Sequence, residues 1–160
     1  MTETELRPAT PDDADWIVKM HGALYARDEG FDDSFPALVA EIVAAFFADH
    51  DETCERGWVA WREGQRLGCI FCVRQDDRTA KLRLFLLLPE ARGLGLGRRL
   101  LAECMGFAQT KGYAGMQLWT HESHRAACAL YARTGWRLLS SVKAHSFGMD
   151  VTEQHWAYEF

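Results

Sequence analysis

The chain has 160 residues, of which 48% are hydrophobic, 12% aromatic and 26% charged; this is a globular composition and excludes a disordered or fibrous chain. Its 18 basic and 23 acidic side chains leave a net charge of −5 and a pI near 5.7, which argues against a sequence-independent grip on a nucleic-acid backbone. No apolar run approaches the roughly 18 residues of a membrane span, the first five residues lack the basic and apolar regions of a signal peptide, and five cysteines without such a signal point to reduced thiols in a cytoplasm.

Residues 5–8 predict a short first strand. Thr10-Pro11-Asp12-Asp13 then reads as a helix start: Thr10 can cap, Pro11 suits the first position and Asp13 can answer as the third. Ala14, Ile17, Val18, His21 and Tyr25 follow at helical spacing, and Gly30 marks the end. After a turn over 31–35, residues 36–48 place Leu38, Ile42, Ala45 and Phe46 on one face and predict a second helix. Runs 57–61, 66–74 and 81–88 are rich in β-branched, aromatic and apolar residues, with polar turns between them. They predict an antiparallel meander that Pro89 stops. Residues 93–110 predict a glycine-rich turn entering a helix whose apolar face is Leu96, Leu100, Leu101, Cys104, Met105 and Ala108, closed at Gly112. A strand over 116–120, a helix over 123–133 closed by Gly135, and strands over 136–140 and 156–160 complete one α/β domain, residues 1–160, with a mixed sheet.

The most informative stretch is 84–101, where a buried strand runs into Gly93, Gly95 and Gly97 and then a helix. Free N–H groups and the macrodipole at a helix start make an anion site. Glycines let a ligand approach the backbone, and Arg92, Arg98 and Arg99 add positive charge. The predicted ligand carries phosphates. The Gly-Lys-Ser/Thr of a P-loop is absent. The glycines follow three antiparallel strands with GxGxG spacing, unlike an early GxGxxG, and Glu122 after the next strand leaves a weakened dinucleotide alternative. A purely structural strand-to-helix turn is the bland alternative.

Arg92-x-x-Gly95-x-Gly97, a strand, and then a helix carrying Leu130-Tyr131-x-x-x-Gly135-Trp136 resembles the GNAT superfamily of acetyl-CoA-dependent N-acyltransferases, in element order over nearly the whole chain. More narrowly, runs 21–27, 80–84 and 145–148 are similar to the acetyltransferase half of proteins that fuse a MarR-type DNA-binding domain to a GNAT domain; no winged helix-turn-helix is read here. The resemblance implies a mixed, mostly antiparallel sheet of about six to seven strands flanked by about four helices. It implies acetyl-CoA as co-substrate, with the pyrophosphate held by backbone N–H groups of Arg92, Gly93, Leu94, Gly95, Leu96, Gly97 and Arg98. The preceding strand bulges and splays in the family, and the pantetheine arm pairs with its edge, here Leu86, Leu87 and Leu88, where an N–H can polarise the thioester carbonyl. Tyr131 maps onto the residue that protonates the leaving thiolate, its alternative being a packed helix aromatic. Many relatives carry Asn at the start of that last helix; run 120–124 has none, so either His121 or Ser123 takes the pantetheine contact or the contact is lost.

Glu29, Glu41 and Glu122 are candidates for the amine's base, with His21 and His145 behind them; Glu41 is set beside Tyr131 as the catalytic pair. Tyr25, Lys81, Arg83 and His145 are assigned to the substrate. Lys81 and Arg83 share a strand face and either meet a substrate carboxylate or point to solvent. Tyr25, Phe31, Phe35 and Phe46 either line a pocket or pack the helices. Cys69 and Cys72 fall on opposite faces of a strand and read as core, and His121, Glu122 and His124 lack the ligand set of a metal. The expectation is an N-acetyltransferase in which a small primary amine attacks acetyl-CoA directly, with no cysteine acyl-enzyme, no metal, and no nucleic-acid or membrane partner. A protein N-acetyltransferase, a non-catalytic acyl-CoA sensor and a nucleotide-binding module are the alternatives. Two C-terminal strands and exposed aromatics such as Trp156 would support a homodimer.

Overall fold

A computed structural model describes residues 3–160. The strands are β1 (Glu5–Pro8), β2 (Arg56–Arg62), β3 (Gln65–Arg74), β4 (Thr79–Leu87), β5 (Gly115–His121), β6 (Arg137–Ser146) and β7 (Met149–Glu159). The α-helices are α1 (Ala14–Glu29), α2 (Ser34–Asp49), α3 (Leu96–Thr110) and α4 (Arg125–Arg133). The strands form one seven-stranded sheet in the order β1-β2-β3-β4-β5-β7-β6. β4 and β5 pair in parallel, whereas β1–β2, β2–β3, β3–β4 and β6–β7 pair antiparallel. The mixed, mostly antiparallel architecture is therefore the one expected.

The chain divides into two compact units, one taking residues up to 9, 51–118 and 158–160, the other residues 10–50 and 119–157. The first is built on β3. Cys69, Ile70, Phe71 and Cys72 on that strand are wholly buried, so the CxxC is core as expected. α3 lays Leu100, Leu101, Cys104 and Ala108 into the same core, and the Cys104 thiol sits 3.8 Å from the Phe71 carbonyl. Burial pushes the Cys104 thiol pKa well up, first by desolvation and then through Cys72, which keeps it protonated and inert. Gly57 is required by packing: a Cβ there would lie 2.3 Å from the Phe71 ring.

In the second unit α1 starts as its sequence predicts. A 3-10 turn over Pro11–Asp13 leads into it, and the Thr10 N–H donates to the Asp13 carboxylate at 2.8 Å. It ends at Gly30, whose φ of 72° carries the left-handed closing turn. Gly22 lets Pro36 of α2 approach α1, because a Cβ there would already stand 3.0 Å from it. β6 and β7 form a hairpin closed by Phe147 and Gly148, both left-handed at φ 55° and 79°.

That hairpin differs from the expected strands over 136–140 and 156–160. It is longer than expected, and residues 137–143 of β6 are exposed on both faces, so no apolar alternation marks that strand in the sequence. Trp156 is a correction: it is 7% exposed, lies 6.0 Å from the Tyr131 ring and donates to Gln154 Oε1, so it offers no exposed aromatic for a dimer.

Candidate functional site

In the first unit the informative feature begins with a break in a ladder. Cys69 pairs with Leu86 and Phe71 with Arg83, so the single residue Ile70 faces two, Leu84 and Phe85. Leu84 takes a φ of 55°, which marks a β-bulge in β4. The parallel pairing with β5 runs from Thr79↔Gly115 to Lys81↔Gln117, while β4 continues to Leu87. The Leu88 N–H donates to Leu67 O at 2.9 Å, toward β3. Alternation along an antiparallel strand then turns the Leu87 N–H to the opposite edge. Of the three leucines assigned to pantetheine, Leu86 is buried and Leu87 and Leu88 are half-buried.

A 3-10 turn over Pro89–Ala91 follows, and Gly93 and Gly95 adopt φ of 81° and 74°. No atom lies within 4 Å of a Cβ built on either, so backbone conformation requires these glycines and the space beside them is open. The Arg99 N–H donates to Gly95 O at 3.1 Å as the first intrahelical bond. Leu96, Gly97 and Arg98 thus present N–H groups with no intrahelical acceptor. Arg92 and Arg98 are exposed, whereas Arg99 is tied by its guanidinium to the Thr4 carbonyl at 2.8 Å. The helix N-terminus and the exposed Arg92 and Arg98 suit a phosphate-bearing ligand, so the residues present fit acetyl-CoA. Lys81 and Arg83 are half-buried upstream of the bulge. Desolvation pushes both pKa values down, and Arg83 adds to the effect on Lys81. Two cations crowded on one face favour a shared anion.

In the second unit aromatic and imidazole rings gather. Tyr25 of α1 stacks on Phe35 at 4.5 Å, with Phe31 at 5.8 Å and His124 edge-on at 4.6 Å. Phe147 of the hairpin turn meets Phe31 and Phe35, each at 5.0 Å. Phe46 is elsewhere, stacked on His50 at 4.4 Å, so the expected aromatic set loses one member and gains Phe147. His121 ends β5 against Phe31 at 5.4 Å; desolvation lowers its pKa, opposed by Glu153 and Glu29. His21 is buried, and its Nδ1 donates to Ile17 O at 2.7 Å. Its Nε2 lone pair has no hydrogen-bond partner, and burial pushes its pKa down to about 4. His124 holds Nδ1 3.3 Å from Thr120 Oγ1 and 3.5 Å from the Tyr25 hydroxyl, and Nε2 3.7 Å from Glu29 Oε1.

The other candidates stand apart from these rings in character. Glu41 is exposed on α2, and Glu122 is exposed with its N–H on Thr152 O. His145 is exposed and paired with Asp150 at 2.9 Å. Tyr131 is 2% exposed, between the rings of Trp136 at 5.7 Å and Trp156 at 6.0 Å. Thr120, His124 and Phe147 join the cluster although sequence reasoning does not assign them to a cofactor or substrate. A signal for part of the cluster exists: His21, Tyr25 and Glu29 recur every four residues, on one face of α1.

The family model for the acetyltransferase (GNAT) family matches residues 20–136. Over 90 residues the chain is 30% identical to N-acetylaspartate synthetase from Danio rerio, a match covering 56% of this chain and 32% of that protein. The chain thus spans about a third of the curated relative it matches. An acetyltransferase from Streptococcus agalactiae superposes with a TM-score of 0.81 at 18% identity, covering 98% of each chain. A Salmonella typhimurium structure solved with its cofactor acetyl-CoA superposes with a TM-score of 0.79 at 17% identity, covering 98% of this chain and 93% of that one. At these identities the superpositions show the fold. Among the described residues no group of three or more His, Cys, Asp or Glu side chains is placed to hold a metal ion, and no helix is long and apolar enough to cross a membrane.

Proposed function

The chain belongs to the acetyltransferase (GNAT) family, and from that premise we propose that it moves the acetyl group of acetyl-CoA to a small primary amine that carries a carboxylate. The observation that carries the reading is the β4–α3 connection: a bulged strand, two left-handed glycines with open space beside them, and a helix start with free amides. Acetyl-CoA supplies the activated thioester. Backbone N–H groups over residues 93–98 bind its pyrophosphate, the Arg92 N–H being withdrawn from the expected set because it donates to Pro89 O at 3.2 Å, and the outward N–H of Leu87 polarises the thioester carbonyl. Leu86 and Leu88 flank that N–H along the pantetheine arm, and His121 takes the contact that Asn makes in many relatives.

Tyr131 protonates the thiolate as it leaves. A free thiol titrates near 8.5 and a tyrosine near 10, so the transfer costs about 2 kcal/mol, small beside a chemical barrier. The rings of Trp136 and Trp156 hold the Tyr131 side chain in place for it. Lys81 and Arg83 bind the carboxylate of the acceptor. Their crowding on one face supports this, as does the likeness to an enzyme named for aspartate, an amine with two carboxylates.

The test is calorimetric titration with acetyl-CoA, CoA, NADH and ATP in parallel, followed by thiol release with each of the common amino acids. Binding of acetyl-CoA and CoA alone, with thiol release on a carboxylate-bearing amine, is the expected result. Selective binding of NADH or ATP would overturn the reading.

A further inference from the structure

The break in the β3–β4 ladder is held from β3 by two neighbours, Cys69 and Gly68. Leu84, at φ 55°, stands in neither ladder: the β3 register passes over it, and the pairing with β5 ends at Lys81. A left-handed conformation at a leucine costs free energy and persists only where its surroundings hold it. A half-buried carbonyl outside a ladder also needs a donor. The Cys69 thiol supplies one. Its Sγ–H donates to Leu84 O at 3.1 Å, and the side chain that carries it is wholly buried. Gly68 acts on the other face, because successive strand residues point to opposite sides. A Cβ at Gly68 would lie 2.7 Å from Leu86 O and 3.1 Å from Leu87 Cδ1. The strand beyond the bulge therefore runs through space that only a glycine leaves open.

The consequence falls on one amide. Phe71 pairs with Arg83 and Cys69 with Leu86. Strict alternation counted on from Arg83 would turn the Leu87 N–H inward, to β3. The added residue turns it outward instead. A one-residue slip reverses the side that every later group faces. A bulge that was ironed out would thus return the Leu87 N–H to the β3 ladder and take it from any ligand lying along the far edge of β4.

We propose that Cys69 is a positioning residue for acetyl transfer: its thiol pins the Leu84 carbonyl, and so keeps the bulge where it aims the Leu87 N–H away from β3, at the thioester carbonyl. This rests on the acetyltransferase reading above and deepens it. The thiol forms no covalent bond in the reaction; its proton is directed at Leu84 O. Cys69 acts through the backbone of β4, at a distance of three residues along that strand from the amide it serves.

The experiment compares wild type with Cys69→Ser and Cys69→Ala. Serine keeps a donor at the position and alanine removes it. If Cys69 only packed, the apolar alanine would be the better replacement, since burying a hydroxyl is unfavourable; if it donates, serine is the better one. With whichever common amino acid gives the highest rate of thiol release, kcat should fall about tenfold in Cys69→Ala and stay within about twofold of wild type in Cys69→Ser, the size expected of one hydrogen bond. The KM for acetyl-CoA should move less than kcat, because the glycine turn is untouched. A second readout needs no activity. Hydrogen exchange of the Leu87 amide, followed by NMR, should be fast in wild type and Cys69→Ser, and slowed by about tenfold or more in Cys69→Ala, where the N–H re-enters the ladder. Cys69→Val, which also lacks a donor, replaces Cys69→Ala if that variant fails to fold. Equal Leu87 exchange in all the proteins, or a kcat for the donor-less variant at or above that of Cys69→Ser, overturns the proposal. A wild type that releases no thiol with any amino acid overturns the acetyl-transfer reading, and the exchange contrast then decides on its own whether Cys69 sets the bulge.

Discussion

The glycine turn before α3 and the ring cluster around His124 are built from opposite materials. On the proposed function, the turn binds through its backbone. Its donors are consecutive amides, its glycines are set by φ, and the side chains at Gly93 and Gly95 are absent by necessity. The cluster is made of side chains drawn from α1, the loop to α2, α2 itself, the end of β5 and a hairpin turn. A backbone site tolerates loss of any one neighbouring side chain. A side-chain site is sensitive to each member and to the proton each one carries.

The largest expected effect is on stability and falls on the cluster. His21 has its pKa pushed down to about 4 from 6.5 by burial. The unfolded chain therefore binds the extra proton first, and stability is lost as pH falls from about 6.5 toward 4, by about 3 kcal/mol. Urea unfolding across that range should show the slope, and His21→Leu should flatten it. A slope unchanged in the variant would show that His21 is not buried neutral.

Gly95→Val should come next. A branched residue at φ 74° is strained, and its side chain would enter the space beside the amides. Acetyl-CoA affinity by calorimetry should fall by about 100-fold. A variant that binds normally would remove the backbone account of the turn. Arg83→Ala should raise the KM for a carboxylate-bearing amine about tenfold and leave that for acetyl-CoA alone, since a charged hydrogen bond is lost on one ligand only. Unchanged kinetics would sink the assignment. Arg98→Ala should be the smallest: an exposed charge at the turn changes acetyl-CoA affinity by about fivefold at most, and less at high salt. A far larger loss would mean that the turn, too, depends on a side chain.

The same contrast explains what can be read in the sequence. Gly30, Pro89, Gly93, Gly95 and Gly112 punctuate the chain because backbone geometry leaves residue-level marks, and the elements they bound are legible. The meander is legible because β2, β3 and β4 carry buried runs. The full length of the β6–β7 hairpin is not, because most of β6 buries neither face. Tyr25 and Glu29 are visible as candidates, yet their meeting with His124 is not. Their sequence separation from it is nearly the length of a domain, and only the fold closes that distance. Spacing alone sets His124 beside His121 as a weak metal pair; it hides the carboxylate and hydroxyl that flank one of them.

The bulge at Leu84 offsets the pleat of β4 by one residue. Phe71 and Cys69 stand two apart on β3, but their partners Arg83 and Leu86 stand three apart on β4. The strand therefore has two independent phases. Lys81 and Arg83 lie before the offset and the Leu87 amide after it. On the proposed function, a specificity surface and a reaction surface would share one strand on either side of that offset.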